Sequence, residues 1–140
     1  MNIKIIKNFF KYHFPFIAWA LVIFIQSSFA AVDIPKVEWI SVDKVIHMGV
    51  FGLLAALCYV SFIHLSTENT FSKNAFVWTA IICMVYGASD ELHQYFVPNR
   101  SSEFQDWLAD AAGIIIMLLV IKYFLGSKMK LFRREKIYGA

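Results

Sequence analysis

The sequence predicts an all-α protein, a four-helix transmembrane bundle with both termini in the cytoplasm. Hydrophobic residues make up 59% of the 140 residues and the mean hydropathy is +0.60, which exceeds the apolar share of an ordinary soluble domain. Four apolar runs each approach the roughly 20 residues that cross a hydrocarbon core as a helix. Because 140 residues leave room for one domain, we treat residues 1–140 as a single transmembrane domain.

The four predicted spans are apolar nearly all round, whereas each helix of a soluble bundle has one polar face. They cover residues 14–31, 45–65, 75–96 and 107–125. Pro35 lies between the first two spans and Pro98 follows the third, positions where a helix is expected to stop. Cys58 and Cys83 lie within apolar runs, which favours small core-filling side chains over an extracellular disulfide.

Basic residues predict the orientation, because short loops rich in Lys and Arg stay in the cytoplasm. Under the four-span interpretation, one side of the membrane has only Lys36, Lys44 and Arg100. The loops at 32–44 and 97–106 are therefore expected outside. The opposite side carries the remaining basic residues, which are Lys4, Lys7, Lys11, Lys73, Lys122, Lys128, Lys130, Arg133, Arg134 and Lys136.

The N-terminal run has a second interpretation, a cleaved signal peptide. Its basic start and the small-x-small sequence Ser28-Phe29-Ala30 fit that interpretation. The apolar run is longer than a usual signal core, which favours a retained helix. Both interpretations place Asp43 outside.

Polar groups concentrate at the ends of the spans that are expected to face outward. Ionisable side chains at membrane depth are costly unless they pair or reach water, so they indicate a functional site by default. Several recur four residues apart and therefore share a helix face, whereas His93 lies off to one side. A polar cavity at headgroup depth suits a ligand with a charged head and an apolar tail. The candidate residues are Asp43, Lys44, His47, Asp90, Glu91, Gln94, Arg100, Asp106 and Asp110.

Three chemical uses of these residues stay open. A divalent metal suits carboxylates with an imidazole, but no HExxH or comparable spacing occurs, so the sequence assigns no metal site. His47 with a carboxylate can act as general acid or base on a lipid-linked phosphate or ester, with Lys44 and Arg100 holding the anion. A structural network would instead pair the acids with Lys44 and Arg100 to lock the helices. No phosphate loop or nucleophile elbow occurs. The sequence leaves the cofactor unknown, and no nucleic-acid partner is expected.

The ordered series of these residues resembles the VanZ-like family of small bacterial membrane proteins. The resemblance covers roughly residues 40–120. The family often has an Asn where this chain has Asp110, and a carboxylate there makes pairing with a cation more attractive. The matching residues are Asp43-Lys44-x-x-His47 and then Tyr86-Gly87-x-x-Asp90-Glu91-x-x-Gln94-x-x-x-Pro98-x-Arg100-x-x-x-x-x-Asp106-x-x-x-Asp110-x-x-Gly113.

The resemblance implies a multi-pass protein of the bacterial cytoplasmic (inner) membrane. The family's namesake is associated with lowered susceptibility to teicoplanin, a glycopeptide antibiotic that acts on cell-wall precursors outside the membrane. We therefore expect the polar residues to bind, and in one version to modify, an envelope lipid or lipid-linked wall precursor. His47, Glu91 and Asp106 are the candidates for chemistry. The candidates for substrate contact are Asp43, Lys44, Asp90, Gln94, Arg100 and Asp110, of which Lys44 and Arg100 would hold an anionic head group.

Two other functions compete with this hypothesis. One is a non-enzymatic membrane interaction module that assists a partner protein, or forms an oligomer, through span 107–125. There Ala109 and Gly113 form a small-xxx-small pair that lets another helix approach. The other is an ion or solute pathway, which is disfavoured because the polar groups do not continue towards the cytoplasmic side.

Overall fold

A computed structural model describes residues 3–29, 42–100 and 102–125, and within these ranges the regular structure is entirely helical. Four of the described helices are long and apolar enough to cross a membrane. They are α1 (Ile3–Ser27), α2 (Val42–Ile63), α4 (Ala75–Tyr95) and α5 (Phe104–Val120), which continues as a π-helical segment, Ile121–Leu125. A short helix, α3 (Thr70–Lys73), precedes α4.

The orientation of the termini stays a prediction, because part of its basis lies outside the described residues. That part comprises Lys36 with most of loop 32–44, and the basic residues from Lys128 onward. Pro35 and the predicted end of the first span, Ala31, lie there too.

The helix α1 begins at Ile3, whereas the sequence predicted a start at Phe14. Lysine is a good helix former, so Lys4, Lys7 and Lys11 continue the helix with exposed side chains. The segment Phe9–His13 is π-helical and directly precedes Phe14-Pro15. A proline ring clashes with the carbonyl four residues earlier, and a wider π turn relieves such a clash.

The core is formed by α2, α4 and α5, and α1 packs against it with little of its own surface buried. In the most apolar stretch of each helix, 44% of the residues of α2, 33% of those of α4 and 39% of those of α5 are buried, against 6% for α1. The fully buried apolar side chains belong mainly to α2, with Phe51, Leu54 and Ala55 at its centre and Ile114 opposite on α5. Cys58 and Cys83 are buried and unbridged, as the sequence indicated.

Glycines allow α2 and α5 to approach closely. A Cβ added at Gly113 would overlap the backbone carbonyl of Met48, and one added at Gly52 would lie 3.3 Å from the carbonyl oxygen of Gly113. Gly113 of the Ala109…Gly113 pair therefore serves a helix contact within this chain. This crossing holds the start of α5 beside the start of α2, where the polar residues lie.

Hydrogen bonds from a side chain to a backbone carbonyl join α1 to both neighbouring helices, α2 and α4. The Tyr86 hydroxyl of α4 donates to the Ala20 carbonyl oxygen at 2.6 Å. From α1 itself, Trp19 Nε1 donates to the Val50 carbonyl oxygen of α2 at 3.1 Å. Such bonds satisfy polar groups that cannot reach water in a bilayer.

Candidate functional site

Nine of the ten residues that form the polar cluster are those that the sequence singled out, and Glu103 is the tenth. The cluster lies at one end of the bundle, where α2 begins, α4 ends and α5 begins. Five of its side chains are at least 92% buried, and burying so many polar groups requires partners for each. The polar cluster comprises Asp43, Lys44, His47, Asp90, Glu91, Gln94, Arg100, Glu103, Asp106 and Asp110.

Lys44 joins α2 to the first turn of α5. Its Nζ is bonded to Asp106, which is 4% exposed, and lies 3.1 Å from Glu103 Oε2. Asp43 Oδ2 is 3.6 Å from the same nitrogen. The sequence placed Asp106 before its span, but α5 begins at Phe104, so Asp106 lies inside the first turn, where a helix dipole stabilises negative charge.

His47 lies between two carboxylates. Its Nδ1 is 2.9 Å from Asp110 Oδ1 across the α2–α5 contact, and its Nε2 is 3.9 Å from Asp43 Oδ1, one turn earlier on α2. The i, i+4 relation of Asp43 and His47 places them on one helix face, as expected from the sequence. Asp110 is 1% exposed, and His47 links this buried carboxylate to the more exposed Asp43.

Glu91 ties the end of α4 to the start of α5. Its Oε2 accepts a hydrogen bond from the Ser102 hydroxyl at 3.2 Å and another from the backbone N–H of Glu103 at 3.0 Å. Its second oxygen, Oε1, is buried without a hydrogen-bond partner among the described residues. The same holds for Asp110 Oδ2.

Arg100 joins the end of α4 to the end of α1. Gln94 donates through Nε2 to Asp90 Oδ2 at 2.7 Å, and Arg100 Nε donates to Gln94 Oε1 at 3.0 Å. Arg100 Nη1 also donates to the carbonyl oxygens of Gln26 and Phe29, each at 3.1 Å.

These acceptors of Arg100 are neutral, whereas the structural network considered from the sequence paired Arg100 with acids. The turn after α4 directs Arg100 to these neutral acceptors. Asn99 adopts φ 61°, a left-handed conformation that asparagine tolerates. The turn lies beside the end of α1, where the carbonyl oxygens of Gln26 and Phe29 accept the guanidinium.

A small cleft lies beside Arg100, between α1, α2 and α4. It encloses about 30 Å³, enough for one or two water-sized groups. One part of its wall is polar and another is apolar. The polar part is formed by Gln26, Ser27, His47, Asp90, Gln94 and Arg100, and the apolar part by Ile23, Ile46, Val50 and Phe51.

Two groups of residues in the cluster have the geometry to hold a metal ion. One group is Asp43, His47 and Asp106, and the other is His47, Glu91 and Asp110. In each group one donor atom per residue lies within 4.8 Å of the others. The second group is deeper, with Glu91 and Asp110 both buried.

The structure separates His93 from the cluster, adds Glu103 to it, and places Ser102 in contact with its member Glu91. His93 Nε2 is 3.0 Å from the Ser28 hydroxyl oxygen, and its ring stacks on Phe24 of α1, consistent with its position off the shared face. Ser102 and Glu103 were not singled out from the sequence. Ser102 acts through its hydroxyl, and Glu103 acts through its backbone N–H and its exposed carboxylate. Both residues lie directly before α5, and no rule of sequence spacing marks such contacts.

A comparison with protein families matches residues 3–126 to the family described as VanZ/LLP1. The match spans all four long helices and the whole polar cluster. No similar protein was found among curated proteins or among solved structures. Because the family match covers most of the chain, and its helices have the length and apolarity of membrane spans, this protein is a membrane protein of the VanZ/LLP1 family.

Proposed function

We propose that this protein resides in the bacterial cytoplasmic membrane, where its polar cluster binds the anionic head of an envelope lipid or lipid-linked wall precursor. The observation that supports the proposal is the cleft between α1, α2 and α4. Its wall combines Arg100, Gln94 and Asp90 with Ile23, Val50 and Phe51, as an amphiphile would require. The cleft has room for one or two water-sized groups, so it would receive an oxygen of the head group while the acyl or prenyl chain lies outside the cleft along its apolar side.

Arg100 is the cation best placed to meet a phosphate. It borders the cleft, and a guanidinium donates strong charge-assisted hydrogen bonds to phosphate. Its Nε and Nη1 now donate to neutral oxygens, which an anionic phosphate would replace as acceptors. Gln94 orients the guanidinium through the bond to Nε. Lys44 already contacts Asp106 and Glu103, so its contribution is to lower the negative charge near the head group.

For a chemical step, His47 is the candidate general base, because two carboxylates flank its ring nitrogens. Glu91 is the second candidate. Asp106 fits a charge partner of Lys44 better than a proton donor. A protein that sequesters or modifies a wall precursor would alter susceptibility to glycopeptides such as teicoplanin, and we extend the proposal to that role.

The test is lipid retention by the purified protein in nanodiscs of defined composition, read by native mass spectrometry. We expect Arg100→Gln to weaken binding of an anionic, phosphate-bearing lipid by about tenfold or more. The matched control is Lys73→Gln, which removes a basic residue at the opposite end, where Lys73 pairs with the exposed Glu68. Equal lipid binding by wild type and Arg100→Gln would contradict the proposal. A parallel assay measures teicoplanin susceptibility of cells that express each variant.

The alternative is a non-enzymatic interaction module. Gly113 is in contact with Met48 of the same chain, so Gly113→Leu would damage the fold and could not test that role. A sharper test changes the outer face of α5, where Ile115, Ile116 and Leu119 are exposed. If Ile116→Ala removed the effect of the protein on teicoplanin susceptibility and left lipid binding intact, the result would favour the interaction module.

A further inference from the structure

From the geometry of His47, Glu91 and Asp110, we propose that the polar cluster holds a divalent cation that accepts both imidazole and carboxylate donors, Zn²⁺ or Mn²⁺. The inference goes beyond the proposed function, because the ion would bind with or without a lipid.

The first observation is the donor set. One ring nitrogen of His47 and one carboxylate oxygen from each of Glu91 and Asp110 lie within 4.8 Å of one another. Two donors of a tetrahedral ion, each about 2.1 Å away, are about 3.4 Å apart, so side-chain movements of about 1 Å would close the group around one ion. His47 Nδ1 and Asp110 Oδ1 are hydrogen-bond partners 2.9 Å apart, so the ion would replace the hydrogen between them and move the two atoms about 0.5 Å apart.

The second observation is independent of the cluster's composition. Glu91 Oε1 and Asp110 Oδ2 are buried without a hydrogen-bond partner among the described residues, although Glu91 is 8% and Asp110 1% exposed. A Cβ added at Gly87 of α4 would lie 3.2 Å from Asp110 Oδ2. This oxygen therefore faces α4, where Glu91 follows Gly87 by one turn on the same helix face. Buried carboxylate oxygens need a hydrogen or a cation.

The third observation is charge. The cluster contains six carboxylates, which are Asp43, Asp90, Glu91, Glu103, Asp106 and Asp110, and two permanently charged cations, Lys44 and Arg100. Lys44 is bound to Asp106 and Glu103, and Arg100 contacts neutral oxygens of Gln94, Gln26 and Phe29. An added divalent ion offsets the remaining negative charge where it is most buried.

Which carboxylates already have a cation as partner also decides between the two groups, and it favours the deeper one. In the group Asp43, His47 and Asp106, the Asp106 carboxylate is already paired with Lys44. In the deeper group, His47 keeps Nε2 on the side of Asp43, 3.9 Å away. A metal-ligating histidine commonly directs its other ring nitrogen at a carboxylate, which orients the ring. Asp43 is therefore assigned to position His47.

The experiment uses full-length protein purified in detergent through a tag without histidine. Chelator-stripped protein is equilibrated with Zn²⁺ or Mn²⁺, desalted and assayed for metal content, and affinities are measured by calorimetry. We expect about one ion per chain. Glu91→Gln and Asp110→Asn should each weaken binding by at least about tenfold, while His64→Gln, a histidine variant at the opposite end, should bind as wild type does.

Several outcomes would overturn the inference. The first is the absence of stoichiometric metal in wild type, and the second is an unchanged metal affinity in both carboxylate variants. The third is loss of metal binding in Asp106→Asn while Glu91→Gln still binds metal, which would place the ion in the shallower group. Where a variant does not fold, Co²⁺ substitution of wild type provides the readout. Ligand-field bands of a site with nitrogen and oxygen donors are expected, and the spectrum of aqueous Co²⁺ would count against the site.

The lipid assay separates this inference from the proposed function. Chelator-stripped protein that takes up no metal but still binds lipid overturns only the metal site. Metal-loaded protein that binds no anionic lipid overturns only the proposed function.

Discussion

The backbone carbonyl of Met48 lies directly against the Cα of Gly113, where α2 and α5 cross. His47 precedes the first of these residues and Asp110 lies three residues before the second, so the crossing places the imidazole beside the carboxylate. A contact between two backbones thus sets the geometry of the most buried part of the polar cluster.

Substitution of Gly113 should therefore destabilise the protein more than its change in helix propensity predicts. Alanine is the better helix former by about 1 kcal/mol, but its Cβ would overlap the Met48 carbonyl. Overpacking of this kind costs about 1–3 kcal/mol. We expect Gly113→Ala to unfold at lower denaturant concentration in detergent. The control is Gly49→Ala, where an added Cβ meets nothing within 4 Å, and equal stability of the two variants would contradict the packing argument.

Removal of the Lys44 side-chain charge should lower the stability of the protein more than removal of an exposed lysine charge does. Lys44→Gln leaves the buried Asp106 carboxylate without its cation, and an unsatisfied buried charged group costs about 2 kcal/mol or more. The side chains of Lys73 and Glu68 are 52% and 86% exposed, and an exposed pair contributes about 0.2–1 kcal/mol. Unfolding of Lys44→Gln and Lys73→Gln in the same detergent checks the difference. Lys44→Gln should also regain stability when combined with Asp106→Asn.

Cysteine labelling tests the orientation that the charge asymmetry predicts. In a background where the buried Cys58 and Cys83 are replaced by alanine, one new cysteine replaces the exposed Phe96 at the polar end. A second variant carries its cysteine in place of Glu68, at the other end of the bundle. We expect a membrane-impermeant maleimide to label Phe96→Cys in intact cells and Glu68→Cys only after permeabilisation. The reverse pattern would put the polar cluster in the cytoplasm.

The Tyr86 hydroxyl should hold α1 to α4. Tyr86→Phe removes the bond to the Ala20 carbonyl oxygen, at a cost of about 0.6–1 kcal/mol. Tyr95→Phe is the matched control, because Tyr95 is 72% exposed. Cross-linking between cysteines introduced into α1 and α4 should become less efficient in Tyr86→Phe and remain unchanged in Tyr95→Phe.

The sequence predicted the four helices and most of the polar cluster because both depend on local patterns. Apolar runs have a length set by the bilayer, and residues four apart share a helix face. Contacts between helices are not local, which is why the Trp19 and Tyr86 bonds to backbone carbonyls were not anticipated. The partners of Arg100 depended on the left-handed turn at Asn99, and those of Glu91 on a backbone N–H that belongs to no motif.

The sparse burial of α1 has a consequence for biogenesis. This helix leaves the ribosome before α2 and α4, whose surfaces receive it. Until those surfaces are made, it resides among lipids, which its uncharged part, Phe14–Ser27, can do because its backbone bonds are closed internally. Assembly would then end with α1 settling onto a core of three helices already in place, and the Arg100 bonds to the Gln26 and Phe29 carbonyls would form at that last step.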